Sequence, residues 1–394
     1  MPNGQLMKYI GGAGLASRML YDELEPGIDA LSPRNKVIFL SGPLAGTMAP
    51  TGSRIGAYTK SPMTNGFFHS SAGGSFAAEL KYAGFDGVVI EGKSEKPLYL
   101  FISNDRVELR DAGHLWGDRT YRAHELLKND IGDEAAQIAV IGPAGERLVR
   151  FASVICGGRA LGRGGLGAVL GTKKFKGIAV RGKGKIEVDN IDSTLQKSRE
   201  LLEIMRGNPS TGQILPRFGT PVLVNANNAL GLFGSRNWQR ETFDDAAGLS
   251  AETLREKIFV RDKSCFACPI GCSKYTTVKQ GEHEGATVEG PEYENIYALG
   301  SMLENSSIEL VAAAELECDE LGMDAVETGV AIAFAMEARE KGILSAEDVD
   351  GLDLCFGNAA VIMPMIQKIG MREGFGDVLA ESVTAGAERG FRLH

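Results

Sequence analysis

The stretch Gly157-Gly-Arg159-Ala-Leu-Gly162-Arg163-Gly-Gly165-Leu-Gly167-Ala-Val-Leu-Gly171 is a glycine-rich run that carries two arginines. Glycine lets the backbone approach a ligand closely, and exposed amides beside Arg159 and Arg163 form a cradle for an anion. The run lacks the Gly-Lys-Ser/Thr end of a Walker loop and the acidic residue of a dinucleotide-binding fold. From these residues alone, a ligand-binding loop and a glycine-rich turn between strands both stay open.

The run lies in a part of the chain, residues 1–185, that has the pattern of a β-rich domain. Short runs of β-type residues are separated there by Gly, Pro or Asp, which is typical of strands joined by tight turns. Helical patterns interrupt them over Phe76–Ala83 and Tyr121–Lys128. The predicted strands are Val37–Leu40, Gly87–Glu91, Leu98–Ile102, Ala139–Ile141 and Gly177–Val180.

Residues 186–394 have a different, mainly helical pattern. Long segments rich in Ala, Glu and Leu place apolar residues at three- and four-residue spacing, which predicts helices. Gly182-Lys-Gly-Lys185 is typical of a linker, and Ser306-Ser-Ile-Glu309 resembles a capping box. We therefore predict an α+β protein, with a β-rich N-terminal domain over 1–185 followed by a mainly helical domain over 186–394. The predicted helices of the second domain are Ser307–Leu321, Glu327–Glu340, Ala359–Ile369 and Phe375–Glu388.

Both ends of the chain are abrupt. The chain begins almost inside a helical segment, Leu6–Leu20, and ends at Arg392-Leu-His394 without a closing element. We therefore expect the second domain to be incomplete at its C-terminus.

Composition and charge exclude several classes of protein. The formal charge of −9 disfavours a nucleic-acid surface, which needs a basic face. No apolar run reaches the roughly 20 residues of a membrane helix, and Met1-Pro-Asn-Gly does not begin a signal peptide. The 6 cysteines include a tight group, which favours a metal in a reducing compartment over disulfides. We expect a cytoplasmic protein.

Cys265-Phe-Ala-Cys268-Pro-Ile-Gly-Cys272 is the strongest local signal in the sequence. Three thiolates at this spacing can wrap one face of a [4Fe–4S] cluster, with the fourth ligand from elsewhere. Zinc and thiols without a metal are the alternatives, but structural zinc usually needs a second Cys or His pair, and the sequence has none at the required spacing. We therefore predict that Cys265, Cys268 and Cys272 bind a [4Fe–4S] cluster.

Two further loops and two acidic segments could bind a ligand or be purely structural. Pro50-Thr-Gly-Ser-Arg54 and Ser70-Ser71-Ala-Gly73-Gly74 have the composition of phosphate-facing loops, and equally of hairpin turns. In Gly290-Pro-Glu292-Tyr-Glu294 a carboxylate could act as a general base, or simply favour a helix start. In Asp319-Glu-Leu-Gly322-Met-Asp324 the aspartates flank a helix-ending glycine, and are either solvated or free to accept hydrogen bonds from a ligand.

Taken together, these elements resemble the aldehyde ferredoxin oxidoreductase family. The resemblance runs from Tyr9-Ile-Gly-Gly12 to Arg372-Glu-Gly374-Phe-Gly-Asp377, nearly the whole chain. Many ordered matches are more specific than any one motif. They include Gly42-Pro-Leu-Ala-Gly46, Ala49-Pro-Thr-Gly-Ser-Arg54, Thr59-Lys-Ser-Pro62, Glu79-Leu-Lys-Tyr-Ala-Gly84, Ile141-Gly-Pro-Ala-Gly145 and Arg163-Gly-Gly-Leu-Gly167-Ala-Val-Leu-Gly171.

The resemblance implies a tungsten bis-pyranopterin that rests on the β-rich domain, and aldehyde oxidation to a carboxylic acid with electrons passed through the cluster to ferredoxin or another electron-transfer subunit. Molybdenum is not distinguished from tungsten, because pterin sulfurs bind both. By the resemblance, Glu294 matches the carboxylate that acts near the metal, and Cys265, Cys268 and Cys272 match three of the four cluster ligands. The implied cofactor-binding residues are Arg54, Ser71, Gly73, Gly74, Arg159, Arg163, Gly164, Gly165, Asp319 and Asp324.

The chain departs from the family pattern in several places. The fourth cluster cysteine and a second aspartate motif of the family have no counterpart before residue 394, and Cys318 and Cys355 match non-ligand regions. A homodimer is an oligomer that the resemblance allows, but Ala313 and Leu316 replace the residues of an interface metal found in some relatives.

Three other functions stay open on the sequence. A benzoyl-CoA reductase-like catalytic subunit would use the same positions. An electron-transfer module would hold the cluster without pterin, and a split-gene product would bind only the cluster and be inactive alone.

Overall fold

The computed structural model describes residues 3–104 and 106–383 of the chain. The chain divides into two compact units, which are described separately. The first comprises Met1–Ile204 with Cys265–Pro269, and the second Met205–Ser264 with Ile270–His394. The domain boundary between residues 185 and 186 stays a prediction.

The first unit is built on two sheets. The four-stranded sheet has the order β3-β2-β1-β4 and the six-stranded sheet the order β6-β5-β10-β7-β8-β9. Strands β5 and β10 pair in parallel, and the other neighbouring pairs are antiparallel. The strands are β1 Val37–Ser41, β2 Ile55–Lys60, β3 Phe67–Ala72, β4 Gly87–Ile90, β5 Leu98–Ser103, β6 Arg106–Asp111, β7 Gln137–Val140, β8 Val154–Cys156, β9 Arg159–Leu161 and β10 Phe175–Arg181.

Helices cover these sheets and share their core. One apolar cluster joins side chains of both sheets, such as Phe39 and Ile102, to Leu80 and Val169 of two short helices. A second cluster packs Leu127 of another helix against the opposite face of the six-stranded sheet. The helices are α1 Asn3–Tyr9, α2 Gly12–Glu23, α3 Phe76–Tyr82, α4 Thr120–Ile131, α5 Pro143–Glu146 and α6 Leu166–Thr172, with α7 Ile191–Gly207 spanning the point where the first unit ends.

The second unit is mainly helical. Its three short strands, β11 Phe259–Lys263, β12 Ser273–Thr277 and β13 Thr287–Glu289, form one antiparallel sheet in the order β11-β12-β13. With a β-rich first unit and a helical second unit, the α+β fold class is confirmed. The helices are α8 Leu215–Phe218, α9 Leu223–Ala229, α10 Ala251–Lys257, α11 Tyr293–Leu299, α12 Ile308–Leu321, α13 Ala325–Glu340, α14 Ile362–Met371 and α15 Phe375–Leu379.

The predicted elements are found with corrections at their ends. The predicted N-terminal helix is two helices, because the backbone breaks at Ile10, which has a left-handed φ of 65°. Helix α12 is capped by Ser307, not Ser306: the Ser307 hydroxyl accepts the Leu310 N–H at 3.1 Å. The predicted helix at 375–388 ends at Leu379, and its last predicted residues, from 384 on, lie outside the described part.

No helix within residues 3–104 and 106–383 is long and apolar enough to cross a membrane.

A buried ion pair lies within the six-stranded half of the first unit. The Lys176 ammonium donates to the Glu146 carboxylate at 2.5 Å and to the Asp118 carbonyl at 3.0 Å. The two charged side chains are 0% and 3% exposed. Burial lowers the pKa of Lys176, while the adjacent Glu146 charge opposes that change. Each partner therefore depends on the other to be accommodated in the core.

Replacing Lys176→Met should destabilise the protein by about 3–5 kcal/mol, because it leaves Glu146 buried without its counter-charge. Urea unfolding monitored by circular dichroism measures the change. The double variant Lys176→Met/Glu146→Leu should recover most of the loss. Lys197→Met, which removes an exposed pair with Glu200, is the control and should leave the unfolding free energy nearly unchanged. A single variant as stable as the wild type would contradict the prediction.

Candidate cluster and cofactor site

The cysteine turn at 265–268 belongs to the first unit, although most of its sequence neighbours belong to the second. The Cys268 N–H donates to the Cys265 carbonyl at 3.1 Å, and Ala267 has a left-handed φ of 51°. Both thiols are half-buried and free of disulfides. The turn is therefore tight and keeps two sulfurs available as ligands.

Three contacts hold this turn on the loops of the first unit. The Phe266 N–H donates to the Gly74 carbonyl at 3.1 Å, and the Thr51 N–H to the Ala267 carbonyl at 3.4 Å. The Phe266 ring meets the Tyr82 ring edge-on, with centroids 6.1 Å apart. The fold thus places the cysteines beside two of the loops that the sequence analysis singled out.

The Cys265 sulfur lies directly against Gly73. A β-carbon on Gly73 would overlap this sulfur and would lie 3.7 Å from the Cys265 β-carbon. Gly74 has a φ of +85°, which favours glycine. A β-carbon there would lie 3.7 Å from the Arg159 Cγ. The structure therefore brings the predicted residues Gly73, Gly74, Arg159 and Cys265 together.

Arg54 and Arg163 are exposed cations on the same group of loops. The Arg54 guanidinium donates to the Ser71 hydroxyl at 3.1 Å and to its carbonyl at 3.0 Å. The Arg163 N–H donates to the Ser70 hydroxyl at 3.3 Å. Sequence reasoning did not single out this Ser70 contact, which ties the glycine-rich run to β3. Exposed guanidiniums beside backbone turns can bind a phosphate through charge-assisted hydrogen bonds.

Gly164 and Gly165 are explained by packing. Their φ angles are +84° and +76°. A β-carbon on Gly164 would lie 2.6 Å from the Phe68 Cγ, and one on Gly165 would lie 2.6 Å from the Pro62 Cγ. Close approach and backbone conformation both require glycine at these two positions. Their part in cofactor binding stays a prediction.

Cys272 lies in the second unit, immediately before β12. The backbone around it is fixed by Lys274, whose buried ammonium donates to the carbonyls of Gly271 at 2.9 Å and Pro216 at 2.8 Å. A β-carbon on Gly219 would overlap the Cys272 carbonyl. The Cys272 side chain is half-buried.

Within the described residues, no three His, Cys, Asp or Glu side chains converge as they would on one metal ion. In a [4Fe–4S] cluster each cysteine thiolate binds a different iron atom. The ligand side chains therefore need not converge on one point, as the ligands of a single metal ion do.

Glu294 is exposed on the first turn of α11. The segment that carries it is anchored by Thr220, whose hydroxyl hydrogen-bonds to the Glu292 carboxylate and accepts the Tyr293 N–H at 3.0 Å. The Tyr293 hydroxyl accepts from the Asn227 amide at 2.8 Å. Glu294 is therefore an accessible carboxylate on a fixed backbone.

Asp319 and Asp324 lie at the junction of α12 and α13. Helix α12 ends at Gly322, which has a φ of 73°, and Asp319 is half-buried. One Asp324 oxygen accepts the N–H groups of Val326 at 3.0 Å and Glu327 at 3.2 Å. Asp324 therefore caps α13, a structural task that the sequence did not distinguish from ligand binding. The role of both aspartates in pterin binding stays a prediction.

The two remaining candidate thiols differ in burial. Cys318 is fully buried in α12, and burial raises the pKa of its thiol well above the ordinary value. Cys355 is exposed as a residue. Partial burial of its thiol and the nearby Asp353 charge both raise the pKa of this thiol. Both pKa shifts disfavour the thiolate form that binds metals.

Two family models match successive parts of the chain. The model of the aldehyde ferredoxin oxidoreductase N-terminal domain matches residues 1–182, and that of domains 2 and 3 matches residues 196–390. The chain belongs to the aldehyde ferredoxin oxidoreductase family.

Relatives of this family are similar over most of the chain. A tungsten-containing aldehyde ferredoxin oxidoreductase of Pyrococcus furiosus is 44% identical over 95% of the chain, and one of Pyrococcus horikoshii is 45% identical over 95%. The chain spans 62% of the length of each. The active-site complex BamBC of benzoyl-coenzyme A reductase, solved with 1,5-dienoyl-CoA, superimposes with a TM-score of 0.89. It is 29% identical, and the match covers 100% of this chain and 61% of that one.

In this member of the aldehyde ferredoxin oxidoreductase family, His124 supports the turn that precedes Arg159. Its Nδ1 lies 2.8 Å from the Thr120 carbonyl, and its Nε2 lies 3.2 Å from the Ile138 carbonyl and 3.3 Å from the Gly157 amide nitrogen. A neutral imidazole has one N–H and donates to only one of the two carbonyls; with that N–H on Nδ1, Nε2 accepts the Gly157 N–H. Burial lowers the pKa of His124 to about 4. Sequence reasoning missed this residue, because its partners are backbone atoms.

Protonation of His124 should destabilise the protein in mild acid. The pKa of His124 is lower in the folded than in the unfolded protein. The stability that neutral His124 contributes is therefore complete above the unfolded pKa and is lost as pH falls from about 6.5 towards 4. The stability advantage over His124→Gln should shrink by up to about 3 kcal/mol across that window. Urea titrations at several pH values measure it. His114→Gln, at an exposed ring that contacts Asp130, is the control. A constant difference between wild type and His124→Gln would contradict the prediction.

Proposed function

We propose that this protein is a tungsten-pterin oxidoreductase. It oxidises an aldehyde and water to a carboxylic acid, two protons and two electrons, and the electrons leave through a [4Fe–4S] cluster to ferredoxin. The observation that carries the proposal is the contact of Cys265 with Gly73, which joins the cysteine turn to the loop beside Arg159. Membership of the family supports it.

The residues of the candidate site fit the groups that the proposal needs. The free, half-buried thiols of Cys265 and Cys268 are the donors that iron–sulfur clusters take, and Cys272 follows at the required spacing. Exposed Arg54 and Arg163 suit a pterin phosphate. When bound, the tungsten-pterin supplies a two-electron sink. The remaining residues proposed to hold it are Ser71, Gly73, Gly74, Arg159, Gly164, Gly165, Asp319 and Asp324.

Glu294 is the proposed catalytic carboxylate. In aldehyde oxidation a water-derived oxygen attacks the carbonyl carbon. The proton of that water must be removed. An exposed carboxylate on a fixed helix turn can orient that water and accept the proton.

The partners of this reaction belong to the proposal as well. Ferredoxin or another electron-transfer subunit receives the electrons, and molybdenum is the alternative metal. We further propose a cytoplasmic location, because none of the 6 cysteines forms a disulfide and reducing compartments keep thiols reduced.

A second candidate is reduction of an aromatic thioester. It is favoured by the TM-score of 0.89 with the BamBC complex of benzoyl-coenzyme A reductase. Because both functions use the same residues, only substrate assays separate them. Activity with benzoyl-CoA and a low-potential dye, without activity on aldehydes, would favour this candidate.

The proposal is tested by anaerobic expression of the chain with tungstate, followed by metal analysis and an aldehyde assay with viologen dye. We expect about one tungsten and four irons per chain and dye reduction that depends on aldehyde. Glu294→Gln should bind both metals but lose activity by about 10²-fold or more. Loaded protein that is inactive with every aldehyde tested would overturn the proposed function.

Gly73→Ala should lower the iron content, because the added β-carbon displaces the Cys265 sulfur. Iron per chain and the visible absorption of the cluster measure this effect without an activity assay. Gly42→Ala is the matched control, since a β-carbon at Gly42 meets nothing within 4 Å. Iron binding equal to wild type in the Gly73 variant would show that Cys265 is not a ligand in this position.

A further inference from the structure

Glu315 is a buried acid that the proposed reaction does not use. It lies within α12 and is 5% exposed. Its carboxyl packs against Gly290, where a β-carbon would lie only 2.9 Å from the Glu315 Cδ. Gly290 begins the segment that leads to Glu294. A side chain at position 290 would therefore have to displace the carboxyl of Glu315.

The Glu315 carboxyl is surrounded mainly by other acids. Its Oε2 has no hydrogen-bond partner within residues 3–104 and 106–383. Burial raises the pKa of Glu315 well above its ordinary value, and the charges of Asp319, Glu292 and Glu289 add to this rise. The Asn295 side chain interacts with the carboxyl and opposes the rise. The raised pKa favours the neutral carboxyl, which can both donate and accept hydrogen bonds.

The two contacts of Glu315 bracket the proposed catalytic residue. Gly290 lies before Glu294, and Asn295 follows it directly in α11. The backbone between them is ordered by hydrogen bonds: the Asn295 and Ile296 N–H groups both donate to the Glu292 carbonyl at 3.0 Å.

We propose that Glu315 is a positioning residue for Glu294, whose buried carboxyl fixes the Gly290–Asn295 segment by packing on Gly290 and by engaging the Asn295 amide. The role of Glu294 rests on the proposed function, but the ordering of the segment does not. A catalytic carboxylate misplaced by about 1 Å can lose about 10²-fold in rate, so a residue that fixes its backbone has a measurable effect.

Two substitutions separate this role from simple filling of space. Glu315→Gln keeps the shape, the lack of charge and a polar group for Asn295. Glu315→Leu introduces an apolar side chain of similar size, which cannot form a hydrogen bond with Asn295. Glu309 on the same helix, where it pairs with Lys257 at 3.0 Å, provides the matched controls Glu309→Gln and Glu309→Leu.

The first experiment is hydrogen–deuterium exchange on the metal-free protein, followed in a peptide that covers residues 290–299. The hydrogen-bonded N–H groups of Tyr293, Asn295 and Ile296 are the reporters. We expect exchange about 10-fold faster in Glu315→Leu, which corresponds to about 1.4 kcal/mol. Glu315→Gln and both Glu309 variants should exchange within about twofold of wild type. Equal exchange in Glu315→Leu and wild type would overturn the proposal.

The second experiment compares kcat and KM of the metal-loaded variants with an aldehyde. We expect kcat to fall about 10-fold in Glu315→Leu and to be retained in Glu315→Gln, with KM and metal content unchanged. An unchanged kcat in loaded Glu315→Leu would refute a catalytic consequence of the positioning. If loaded wild type oxidises no aldehyde, the proposed function fails, whereas the exchange experiment still decides whether Glu315 orders the segment.

Discussion

The contact between the Cys265 sulfur and Gly73 is the constraint on which the candidate site of the first unit depends. It requires glycine directly after β3, and so determines how the chain leaves the β2–β3 hairpin. The next residue, Gly74, then accepts the Phe266 N–H and lies beside Arg159. Three segments that are distant in sequence therefore come together around Gly73 and Gly74. A change there would disturb the thiol, the loop beside Arg159 and the hairpin together.

Glycine is abundant in this chain for more than one physical reason, and the composition does not distinguish them. At Gly73 the missing side chain makes room for a thiol, whereas at Gly164 and Gly165 it makes room for Phe68 and Pro62. All three belong to segments that could be assigned to ligand binding from the sequence. Only the neighbouring atoms show which glycines face a site and which allow the core to pack.

The parts of the fold that were predicted from sequence are those with a local signal. Strands β1 and β5 and the Gly177–Val180 part of β10 are apolar runs, and the cysteine spacing is a local pattern as well. Strand β3 was missed because its Phe-Phe-His-Ser-Ser-Ala sequence has no apolar alternation, and pairing with β2 decides its conformation. His124 was missed for a related reason, since backbone atoms leave no trace in the side-chain pattern. Long-range contacts and backbone partners are properties of the folded chain alone.

Three ionisable groups show how this protein accommodates polarity in its interior. Lys176 is paired with the opposite charge of Glu146, and Lys274 donates to carbonyl oxygens and pairs with the Asp262 carboxylate at 2.9 Å. In both cases the compensation is complete within the fold, and the group needs nothing else. Among the residues that the structure describes, Glu315 has neither a counter-charge nor a full set of hydrogen bonds, and it lies among other acids. Leaving a polar oxygen unsatisfied in a core costs free energy. A hydrophobic side chain would avoid that cost, so the acid at this position is best explained by what its carboxyl does for the neighbouring segment.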